Sequence, residues 1–115
     1  MKKELFLILI LTFFAIPLLV HANPPHAIHA KYDSVRQELN IIVQHPVTNP
    51  TEHFIKEVVI YKNGQEIKKE QFDFQTSRRN QSIPPIKIVA NSGDEFRIVA
   101  ICNKSGSGET TIQVN

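Results

Sequence analysis

The stretch QHPVTNPTEHFI, Gln44 to Ile55, carries two of the five histidines in this chain, one on each side of a proline-containing turn. Far downstream, ICNKSG supplies the only cysteine, Cys102. Neutral imidazole and thiolate are good ligands for iron, zinc and copper. His45, His53 and Cys102 are therefore candidate metal ligands, with His26 and His29 near the start as further imidazoles. The same residues also have a metal-free reading. His45-Pro46 then exits a strand, His53 opens one with its ring in solvent, and Cys102 is a small core residue, a common fate of free cysteine. His26 and His29 would lie in an N-terminal tail. No other chemistry is marked. The chain has no G-x-S-x-G, C-x-x-C, H-E-x-x-H or glycine-rich phosphate loop, and no pair of carboxylates spaced for acid–base work.

These candidates must be held by strands. Turn residues recur every eight to twelve positions, between runs rich in Ile, Val, Phe and Thr. The runs predict strands near Ile28–Tyr32, Gln37–Gln44, Phe54–Tyr61, Glu66–Phe74, Ile86–Ala90, Glu95–Cys102 and Glu109–Val114. Asn63-Gly64 between two of them is a strong hairpin signal, because a type I′ turn needs positive φ at both centres. In GDEFRIVAIC, Phe96, Ile98, Ala100 and Cys102 share one face by the two-residue period. The other face is also largely apolar, so this run predicts a central strand with Cys102 pointing inward at its end. QTSRRNQSIPP, Gln75 to Pro85, is the longest polar interval and predicts a surface loop. No helix is predicted. The expected class is all-β, a seven-stranded antiparallel immunoglobulin-like sandwich.

The segment MKKELFLILILTFFAIPLLVHA, residues 1–22, reads as a secretory signal peptide. Two lysines precede an apolar run that is short for a membrane span and broken by Pro17. A cut after Ala22 leaves residues 23–115 as one exported domain, periplasmic or secreted; a second possible cut follows Ala30 and would remove His26 and His29. Losing Lys2, Lys3 and Glu4 takes one positive charge from the net +2. The remaining +1 implies neither nucleic acid nor an anionic membrane surface as partner. A lone cysteine excludes an intrachain disulfide.

The run HPVTNPTEHFIKEVVIYKNGQEI resembles the iron domain of the superoxide reductase (desulfoferrodoxin/neelaredoxin) family, which has His-Pro, a short turn, Glu- or Lys-His-aromatic-Ile, a strand and an Asn/Asp-Gly hairpin. GDEFRIVAICNKSG is similar to that family's last long strand, which ends in Cys-Asn-x-His-Gly. The resemblance implies an immunoglobulin-like sandwich carrying a mononuclear non-haem iron, held by four imidazoles and an axial cysteine thiolate, with an open position that meets superoxide. It also implies an electron donor, which the sequence does not identify. Carried over, His53 matches the histidine before the aromatic residue and Cys102 the axial thiolate. His45 matches the His-Pro ligand across a longer turn, and His26 or His29 the early histidine. Ser105 stands where the fourth imidazole is expected, which implies an incomplete site. The resemblance further requires the 44–55 and 101–106 turns to lie at one end of the sandwich. A second likeness, to the carrier-complex Z subunit of bacterial sulfur oxidation, goes with the metal-free reading: a sandwich that binds a protein partner.

Overall fold

The computed structural model describes Pro25 and residues 27–115. The expected signal peptide, its cut after Ala22 and the candidate ligand His26 lie outside the described residues. Seven strands follow: β1 (Ala27–Asp33), β2 (Glu38–Gln44), β3 (Ile55–Lys62), β4 (Gln65–Gln71), β5 (Asn80–Lys87), β6 (Glu95–Cys102) and β7 (Ser107–Gln113). All pairings are antiparallel, in two sheets of order β1-β2-β5 and β4-β3-β6-β7. No helix is present among the described residues. In the constant-type immunoglobulin division the fourth strand would sit beside the fifth. Here the Asn63-Gly64 hairpin keeps β4 on β3 instead, with φ of 50° and 84° at its two centres.

Alternation places the core. Leu39, Ile41 and Val43 of β2 face Val58 and Ile60 of β3 and Phe96, Ile98 and Ala100 of β6, all essentially removed from solvent. Each such large side chain contributes about 1.5–3 kcal/mol by leaving water. The predicted inward face of β6 is therefore found, and Cys102 ends it, buried. β6 lies between β3 and β7, as its two-sided apolar pattern requires. Tyr32 closes one side of the core: its ring packs on Phe96, and its hydroxyl donates to the Ile88 carbonyl while accepting from the Ala90 N–H.

The polar interval from Gln75 is not a surface loop throughout. β5 begins at Asn80, six residues before the predicted start, and Gln75, Gln81 and Ile83 are buried. Pro84 and Pro85, at the end of that interval, sit opposite a register shift between Leu39 and Ile41. A missing N–H is tolerated there, on an edge strand at a bulge. The registers bring the start of β1 and the β2–β3, β4–β5 and β6–β7 connections to one end of the sandwich. Cys102 pairs with Ile55, Gln44 with both Ala27 and Asn80.

Candidate metal centre

His53 is set by a local turn. The Asn49 side chain accepts the Thr51 N–H at 3.1 Å, and its carbonyl accepts the N–H groups of Glu52 and His53 at 3.2 and 2.9 Å. Pro50 begins this single coil, where a fixed φ helps and no N–H is needed. The coil delivers the ring to the end of β6. Nε2 of His53 lies 3.1 Å from Sγ of Cys102.

Cys102 is set by β6 and by the turn after it. Its N–H donates to the Gly106 carbonyl at 3.0 Å, and Gly106 takes the positive φ of 86° that closes this turn without strain. The Lys104 N–H donates to Sγ at 3.4 Å. Asn103 ties the two turns together. Its backbone N–H donates to the Phe54 carbonyl, its Oδ1 accepts the Phe54 N–H at 2.9 Å, and its Nδ2 donates to the Glu52 carbonyl at 2.9 Å. Both neighbours of His53 are thus fastened to the residue after Cys102.

His45 continues β2 inward and is almost wholly buried. Its ring meets that of His53 edge to face, with centroids 4.8 Å apart. Its Nδ1 lies 2.8 Å from Oε1 of the buried Gln75. One donor atom from each of His45, His53 and Cys102 falls within 4.8 Å of the others. The His53 imidazole is held below its ordinary value, chiefly because burial disfavours its charged form, and then by electrostatic repulsion from the His45 side and from Lys104. A neutral ring is the ligand form.

Of the predicted ligands, His45, His53 and Cys102 converge and His29 does not. It is exposed in the middle of β1, opposite the solvent-facing Ile42. Its register explains this: the pair lies on the outer face of the sheet. A cut after Ala30 would remove four of the seven β1 residues that pair with β2. Sequence reasoning missed Gln75, an amide thirty positions from the histidine it contacts, with no local pattern to mark it.

No family model matches the chain, and a comparison with curated proteins finds no match. Solved structures do match. A hypothetical protein from Pyrococcus horikoshii OT3 aligns over 87% of this chain and 96% of its own, at 16% identity and a TM-score of 0.58. A superoxide reductase in the oxidized state aligns over 87% of this chain and 94% of its own, at 15% identity and 0.53. The superoxide reductase (neelaredoxin) from Ignicoccus hospitalis aligns over 79% and 80%, at 15% identity and 0.51. At such identities the likeness is one of fold: the chain has the superoxide reductase fold.

Proposed function

We propose that the chain is an exported superoxide reductase-like domain that holds one non-haem iron through His45, His53 and Cys102, with an incomplete ligand set. The observation that carries this reading is the convergence of two imidazoles and a thiol at one end of this fold, with the His53–Cys102 approach of 3.1 Å. Two imidazoles and a thiolate suit a transition-metal ion, so the residues fit the group in three of the positions the family fills. Ser105 supplies no imidazole at a fourth, and His29 faces away. His26, the other early histidine of the family likeness, lies outside the described residues.

Held by His45, His53 and Cys102, a ferrous ion would supply the one electron that, with two protons from solvent, converts superoxide to hydrogen peroxide, and the ferric ion left would need a donor to reduce it. The chain's own part is to disfavour the protonated form of the His53 ring and to favour an anion. Burial lowers the proton affinity of His53, and Lys104 places a positive charge close enough to be felt at that ring. With fewer imidazoles than the family, we expect weaker iron retention and superoxide reduction that is slow or absent. The electron donor is a further protein or small reductant. Metal analysis of protein purified without a histidine tag tests the reading: iron at about one per chain, with a visible thiolate-to-iron absorption that Cys102→Ser abolishes. Metal-free protein that takes up neither ferrous iron nor cobalt would replace it with the partner-binding sandwich.

A further inference from the structure

Gln75 makes four hydrogen bonds from a buried position in the β4–β5 connection, and together they determine its orientation. Nε2 donates to the carbonyl oxygens of His45 and Ser77, at 2.7 and 2.9 Å. Oε1 accepts the Ile55 N–H at 3.3 Å and faces Nδ1 of His45 at 2.8 Å. Turning the amide over would set its oxygen against two carbonyl oxygens, which only accept, and its NH2 against an N–H, which only donates. One orientation satisfies every partner. Oε1 can only accept, so the proton of a neutral His45 ring must sit on Nδ1. Nε2 then carries the lone pair.

We propose that Gln75 is the positioning residue of this centre: it fixes His45 as the Nδ1–H tautomer and makes Nε2 its ligand atom. The same amide ties the first residue after β2 to the first residue of β3, so one side chain orients the ring and holds the two ends of the β2–β3 connection. The metal part of this inference rests on the reading above; the tautomer does not. A ring N–H held by a second partner orients a ligand and raises its basicity, and loss of such a partner weakens metal binding about 10–100-fold.

The test uses the purified protein free of metal, at a pH where both rings are neutral, and reads the histidine ring nitrogens by long-range 15N–1H NMR. His45 is expected with its proton on Nδ1. Cobalt(II) titration then follows the thiolate charge-transfer band. Gln75→Leu, which keeps bulk and removes the acceptor, should shift His45 toward the Nε2–H form and weaken cobalt binding about 10–100-fold. Gln75→Glu keeps the acceptor and loses both donated bonds. It should melt at a lower temperature yet retain the Nδ1–H form and bind cobalt no more weakly than the parent. A parent protein with the His45 proton on Nε2 overturns the inference, even where Gln75→Leu fails to fold. So does a folded Gln75→Leu with unchanged affinity. A parent that takes no cobalt while showing the Nδ1–H form removes the metal role of Gln75 and the iron reading together, and leaves the tautomer assignment standing.

Discussion

Asn63 and Asn103 occupy equivalent places at opposite ends of the β3–β6 pair, and each makes the same kind of clamp. Asn63, after β3, accepts the Glu95 N–H on its side chain, donates Nδ2 to Asp94, and gives its backbone N–H to the Glu95 carbonyl. Asn103, after β6, does likewise with Phe54 and Glu52. At the Asn63 end the clamp closes a hairpin against the Asn91–Asp94 turn, among exposed side chains. At the Asn103 end it sets His53 beside Cys102, and buried polar groups accumulate around it: His45 and Gln75. Strand ends need such clamps whatever they carry. Only one end builds on the clamp to gather donor atoms.

Removing each clamp in turn separates the two ends. Asn103→Ala leaves the Phe54 N–H and Glu52 carbonyl without their side-chain partner and should cost about 2 kcal/mol of stability. Chemical denaturation measures that loss. It should also loosen His53 and weaken cobalt or iron binding severalfold. Asn63→Ala should cost a similar amount, since it removes two bonds and places alanine at a φ of 50°. Metal affinity should then be unchanged. Equal losses of affinity in both variants would mean that the two ends do not differ as described.

Ser105→His adds a donor at the end that gathers His45, His53 and Cys102. The residue lies in the turn between Cys102 and Gly106 that the Cys102 N–H closes. Metal binding should strengthen, read by competition with a chelator. An unchanged or lower affinity would show that the position is not equivalent to the family's fourth imidazole.

The ends also differ in how much of them could be read from residues. The Asn63 end is local: Asn-Gly between alternating runs specifies its turn, and β6 was placed correctly at both limits because its pattern alternates cleanly. At the other end the partners lie far apart in sequence. His53 and Cys102 are 49 positions apart, and His45 and Gln75 are 30. The histidines and the cysteine were recognisable by their chemistry and by family likeness. Gln75 was not, because it opens a run of polar residues, Gln75 to Ser82, in which nothing local separates a buried glutamine from a loop glutamine. β5 was displaced for a related reason. Its inward Gln81 breaks the apolar alternation, and its paired prolines mimic a loop.

The smallest expected effect separates the ends by pH, in metal-free protein. The folded pKa of His53 lies below the usual 6.5 because burial, and then repulsion from the His45 side and from Lys104, disfavour its cation. The unfolded chain therefore takes up that proton first as pH falls. The stability His53 contributes is complete above 6.5, is lost as pH drops from there toward the folded value, and then levels off. Asp94 at the other end is held below the usual 3.8, first by the Asn91 N–H and then by the Asn63 side chain. Its contribution is complete above 3.8 and is lost only as pH falls below that, through its folded value. Denaturation midpoints between pH 8 and 3 should thus fall in two steps. His53→Gln should flatten the upper step and leave the lower one, and Asp94→Asn should reduce the lower one alone. An upper step that survives His53→Gln would assign it to another group, and the burial of this imidazole would not be what the pH dependence reports. Saturating metal should shift the upper step further, because the ion and the proton compete for the same nitrogen.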